Sequence, residues 1–299
     1  MVIALLVVVA IFVLITVTSS FWVNWWWFSS MDRRSLLTDR YIFQGASFLI
    51  GALLTTLIFG GNLIVALRRT RQQGQVRSVA RVSNRILFWL VILATVILAF
   101  LVGSSASSAW ETWAKWRYGS SFGYSDPYMH RDIGFYIFAL PALEWIYRAL
   151  LTITLLALAG TLIVYLLRTS LRFSMSAFRQ APIVARSHVT FLLGLIALLF
   201  GFGRILAFYG SVHATSGIAG GPGFVEMNVT RWANLIGAIC AFVAAIALFV
   251  AARRLQPRLL GGALAVMGVV LLLGIVILPR IVQSVFVDPS EELRQRSHR

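Results

Sequence analysis

The chain has 299 residues, 59% hydrophobic and 12% charged, with a mean hydropathy of +0.85. Apolar runs long enough to cross a bilayer recur along its whole length, which excludes an ordinary soluble domain and makes an integral membrane protein the expectation. Its net charge of +16 would suggest nucleic acid in a soluble domain, but here topology and contact with anionic lipid account for it, so the lipid bilayer is the expected partner and nucleic acid is not.

Seven membrane-spanning helices are predicted, at about 2–23, 41–67, 86–109, 139–167, 189–209, 232–252 and 259–279, which makes the fold class an all-α polytopic transmembrane bundle. The first segment lacks a basic n-region and a small-residue cleavage site, so it reads as a retained helix rather than a signal peptide. The segments 68–85, 168–188 and 253–258 carry six, four and three basic residues, whereas 24–40, 110–138 and 210–231 carry three, three and one. The excess of 13 over 7 predicts a cytoplasmic N-terminus and an extracytoplasmic C-terminus in a bacterial plasma membrane. Residues 1–279 then form the transmembrane domain and 280–299 an extracytoplasmic tail. The lone Cys240 can build neither a disulfide framework nor a Cys-based zinc site within this chain.

The non-cytoplasmic side is rich in aromatic residues. FWVNWWWF at 21–28 and WETWAKWRY at 110–118 fit an aromatic belt at headgroup level, with a sugar- or headgroup-stacking platform as the alternative. The connection 110–138 leads into SDPYMHRDIGFYIFALP, residues 125–141. Asp126-Pro127 initiates a turn, Gly134 interrupts the run, and Pro141 suits a first helical turn. The segment near 132–140 is too short to span, so it is predicted to be interfacial or re-entrant.

This stretch resembles the signature segment of uncharacterised protein family 0182, large bacterial integral membrane proteins. Asp126, Pro127, Asp132, Gly134, Phe135, Tyr136, Phe138, Leu140 and Pro141 carry the likeness. GPGFVEMNV is similar to a second family element through Gly221 and Gly223, with Phe224 for Tyr, Val225 for Thr and Glu226 for Asp. WVNWWWF, GNLIVALRR and LPRIVQSVFVDPSEEL resemble three further elements. The resemblance implies a large extracytoplasmic region following the last of these in family members, and it implies no established activity.

Candidate sites therefore rest on the residues themselves. Asp126, His130 and Asp132 are chemically adequate metal ligands, but D-x3-H-x-D is no recognised ligand motif; Asp126 is expected to be a turn acceptor and Asp132 a cap or arginine partner, with no metal. Glu144 and Arg148 are spaced i, i+4 in the favourable order. Arg204 lies about 9 Å below the end of its helix. Together Asp126, Asp132, Glu144, Arg148, Arg204 and Glu226 are proposed as a polar cluster, structural or functional, in which Glu144 pairs with Arg148 or Arg204. His188, His213 and His298 read as solvated, and Gly194, Gly201, Gly261, Gly268 and Gly274 as close-packing positions. No nucleotide-binding, zinc-hydrolase or nucleophile-elbow motif occurs, so neither cofactor nor enzymatic role is expected. The leading expectation is a membrane anchor or scaffold for an extracytoplasmic domain or envelope partner; a transporter or lipid-handling protein is the alternative.

Overall fold

The structure is a computed structural model, and it describes residues 2–72, 83–168, 182–213 and 223–287. Among these residues the backbone is helical throughout, apart from connections and one isolated bridge between Ser125 and Asp132. Among the described residues, seven helices are long and apolar enough to cross a membrane: Val7–Ser30, Arg34–Thr70, Asn84–Ser108, Phe135–Arg168, Ile183–Gly210, Glu226–Arg254 and Pro257–Val285. Each overlaps one of the seven predicted segments, with different ends.

In chain order, α1 is Val2–Ser30, α2 Arg34–Thr55 and α3 Gly61–Gln72, the last two joined in line by a π-helical turn at Thr56–Gly60. Helix α4 is Asn84–Ser108 and α5 the short Trp110–Tyr118. Helix α6 (Leu140–Arg168) begins on a π-helical turn at Phe135–Ala139, and α7 is Ile183–Gly210. Helix α8 (Arg231–Arg254) follows a π-helical turn at Glu226–Thr230; α9 (Pro257–Val270) continues through a further π-helical stretch into α10 (Leu278–Val282). Helical backbone runs on to Val287, past the predicted end at 279.

Two corrections follow. The segment near 132–140 is neither re-entrant nor a separate interfacial piece, because Phe135–Ala139 runs straight into α6. Pro141 therefore stands inside continuous helical backbone rather than in a first turn, and the irregular π-helical turn directly before it is where the regular bonding that a proline cannot complete is already interrupted. The first helix also extends to Ser30, which takes the tryptophans of 21–28 into α1 itself.

Two cores hold the bundle. One joins α3, α4, α6 and α7 through Leu63, Val91, Ile153, Ala157, Tyr165 and Val189; the other joins α7, α8 and α9 through Ala197, Ala245, Leu248 and Leu260. Small residues set the second seam. The Phe249 and Phe242 rings lie where side chains at Gly194 and Gly201 would stand, so two glycines seven apart receive two phenylalanines seven apart on the antiparallel helix. Gly261, Gly268 and Gly274 meet nothing within 4 Å, contrary to expectation, because α9 and its continuation lie at the edge of the bundle. The described ends of the helices define a basic end, where α3, α6 and α8 finish, and a signature end, where α4 finishes and α6 begins.

Candidate functional site

The signature segment builds a cap at its own end of the bundle. Asp126 is buried, and one carboxylate oxygen accepts from the Tyr128 N–H at 3.1 Å, the Met129 N–H at 2.6 Å and the Tyr136 hydroxyl at 3.4 Å. This is the turn-acceptor chemistry of an aspartate before proline, with Pro127 presetting the bend. The turn closes by Asp126 N–H to Arg131 carbonyl at 2.8 Å and His130 N–H to Asp126 carbonyl at 2.9 Å, and His130 takes a left-handed φ of 54°.

Asp132 ties the other half of the loop together. Its carboxylate accepts from the Ser121 hydroxyl at 2.6 Å and from the N–H groups of Phe122 (3.2 Å), Gly123 (3.0 Å) and Gly134 (2.7 Å). The Ser121 hydroxyl first, then these backbone donors, hold the carboxyl below the usual carboxylate range against an opposing desolvation. A depressed folded-state pKa means that the loop has this support in full above the ordinary carboxylate value and loses it only as pH falls through the lowered one. Asp132 is thus a cap rather than an arginine partner. Gly134 has no room for a side chain: a Cβ would stand 2.6 Å from the Ser120 carbonyl and 2.7 Å from the Asp132 carboxylate.

The signature aromatics fasten this loop to the helices. Phe135 meets Tyr209 of α7 edge-on at 5.3 Å, and the Arg131 guanidinium lies 5.7 Å and 5.6 Å from those two ring centroids. Phe138 stacks on Phe122 at 5.9 Å and covers Gly119. Of the second family element, Gly221 lies outside the described residues, and Gly223 accepts at its carbonyl from the Met227 N–H at 3.2 Å.

The six proposed polar residues do not form one cluster. Asp126 and Asp132 belong to the cap. Glu144 pairs with Arg148 at 2.8 Å, an exposed i, i+4 bridge of small energetic weight. Arg204 donates instead to Asn234 of α8 at 3.3 Å and lies 4.9 Å from the Phe200 ring centroid. Glu226 opens the π-helical turn ahead of α8 and makes no ion pair among the described residues. Also among the described residues, no three His, Cys, Asp or Glu side chains could hold a metal ion.

A different polar group emerges toward the basic end. His188, expected to be solvated, is 6% exposed, with Nδ1 3.0 Å from the Tyr165 hydroxyl and Nε2 2.9 Å from the Asn62 amide oxygen. The chain Asn62–His188–Tyr165 links α3, α7 and α6 across the bundle interior. It borders a cavity of about 710 Å³ lined also by Arg69, Ser187, Phe191, Phe249 and Arg253. A second, largely apolar cavity of about 620 Å³ lies toward the signature end among α2, α4, α5 and α6, from Ile50 and Leu54 up to Trp113, Trp116, Arg117 and Trp145. Each tryptophan here is an amphipathic group suited to a membrane interface.

Fold and cap together define an all-helical bundle with seven apolar helices of membrane-crossing length among the described residues, its signature loop tied to its own backbone by two carboxylates. The chain belongs to the uncharacterised protein family UPF0182, whose pattern matches residues 1–298. It is similar to the UPF0182 proteins of Frankia casuarinae (29% identical over 98% of this chain and 30% of the relative), Frankia alni (30%, 91% and 27%) and Thermobifida fusca (29%, 97% and 29%). The chain therefore spans about three tenths of the length of these curated relatives. No solved structure matches it.

Proposed function

We propose that the chain is a multi-pass module of the bacterial plasma membrane, N-terminus in the cytoplasm, that anchors and organises an extracytoplasmic domain or envelope partner and has no catalytic role of its own. The observation that carries this reading is the use made of the signature's acidic groups: Asp126 accepts three hydrogen bonds and Asp132 four, all from donors between Ser121 and Tyr136. Carboxylates committed in this way stiffen a platform and leave little acceptor capacity for a substrate. The length of the relatives and the 13-to-7 asymmetry of basic residues support an outward platform with further protein beyond it. Alkaline phosphatase fused after Val287 should be active and stay with alkali-washed membranes, whereas fusion after Arg254 should be inactive. The reverse pattern of activity would sink the proposal.

A second reading, lipid handling, rests on the apolar cavity beneath Trp113, Trp116 and Trp145. It requires that the reconstituted chain move fluorescent phospholipid between vesicle leaflets and that Ala149→Trp, which fills the cavity, stop the movement. The anchor reading expects no movement in either case.

A further inference from the structure

Among the described residues, no acidic side chain lies at the basic end. None of the 10 acidic residues lies within 40–110, 145–225 or 227–287, so the arginines of 68–85, 168–188 and 253–258 have no acidic residue in their own segments. Among the described residues, two of these arginines converge. Arg69 of α3 and Arg253 of α8 line the same cavity of about 710 Å³, with Asn62, Ser187 and His188 as further polar groups. Phe191, Ile246, Phe249 and Val250 form its apolar wall, and Phe191 and Ile246 are 50% and 64% exposed on the helix faces. The site therefore has two chemistries in order: a doubly cationic mouth at the helix ends and an apolar trough running from it along α7 and α8.

We propose that this cavity binds one anionic phospholipid, its phosphate between Arg69 and Arg253 and an acyl chain along Phe191, Ile246 and Phe249. The match is one of charge and shape. Arg69 and Arg253 form no ion pair among the described residues, which leaves both open to an anion from outside the chain, and guanidinium suits a phosphate. A free anion would satisfy the arginines but leave the trough uncovered, whereas a phospholipid covers both, as basic pockets between transmembrane helices do generally. The buried Asn62–His188–Tyr165 chain fixes the floor by holding α3, α6 and α7 at constant separation. The inference is independent of the anchoring role proposed above, since it concerns the opposite end of the bundle.

The test uses the whole chain in nanodiscs of phosphatidylcholine containing a minority of phosphatidylglycerol, with retained lipids counted by native mass spectrometry. The wild type should retain phosphatidylglycerol over phosphatidylcholine by on the order of tenfold relative to its abundance. Arg69→Gln with Arg253→Gln should abolish that preference, and both side chains are exposed, so the bundle retains its packing. Arg254→Gln with Arg258→Gln removes equal charge from the same end outside the cavity and should leave the preference intact. Equal loss in both double variants would show diffuse surface attraction and overturn the site. So would an unchanged preference in the first variant, displacement of the lipid by inorganic phosphate alone, or a dimer without retained lipid.

Discussion

Replacing Gly103 by valine should separate α2 from α4 and cost about 3 kcal/mol, the upper range for forcing volume into a packed seam. A side chain at 103 would begin 2.9 Å from the Phe48 carbonyl oxygen and 3.0 Å from the Phe48 ring. Backbone cannot move aside as a flexible side chain can. Opposite, Gly51 is held as tightly, since its Cβ would meet Gly103 Cα at 3.3 Å and the Val102 carbonyl at 3.3 Å. The two glycines thus face each other where α2 and α4 come close. Thermal unfolding in detergent should show the loss, with Gly45→Ala as a matched control. Gly45 meets nothing within 4 Å, so alanine there should raise stability by about 0.5–1 kcal/mol through helix propensity. Equal behaviour of the two variants would mean that α2 and α4 do not pack as described.

His188→Ala should cost about 2–4 kcal/mol, because it removes a buried wedge and deletes hydrogen bonds to Tyr165 and Asn62 at once. The partners lie 23 and 126 residues away in sequence, so the loss loosens α3, α6 and α7 together. A double-mutant cycle with Asn62→Ala should return a coupling of about 0.5–2 kcal/mol, as for interhelical hydrogen bonds in lipid. Additive effects would refute a direct contact between the two side chains.

These outcomes trace what was and was not legible in the residues. The helix count was legible because an apolar run of bilayer length has few other uses. Asp126 as a turn acceptor and Asp132 as a cap were legible too, since both roles are local and follow from an aspartate before Pro127 and another before Gly134. His188 was not, because its partners sit on other helices, and no pattern within one helix specifies which polar groups will meet across a bundle. The nearest signal was a polar Asn62 and a polar Tyr165, each inside an apolar span. The glycines make the same point. Gly194 and Gly201 share their spacing with Gly261 and Gly268, yet one pair accepts phenylalanine rings and the other faces open space. Arg204 does stand six residues before the end of its helix, but Asn234 rather than Glu144 answers it.

The π-helical turn at Phe135–Ala139 bears on how α6 is aimed. Such a turn holds one residue more than an α-helical turn, and each residue of a helix corresponds to about 100° of rotation. The cap clamps Asp132 and Gly134 on one side of that turn. Below it, Ala142 points fully inward at 0% exposure, the Tyr147 ring rests on Gly203, and Arg148 faces out. The number of residues between the clamp and α6 therefore works as an angular setting. The signature acts through its length as well as its chemistry, as a dial that selects which side of one long helix looks into the bundle.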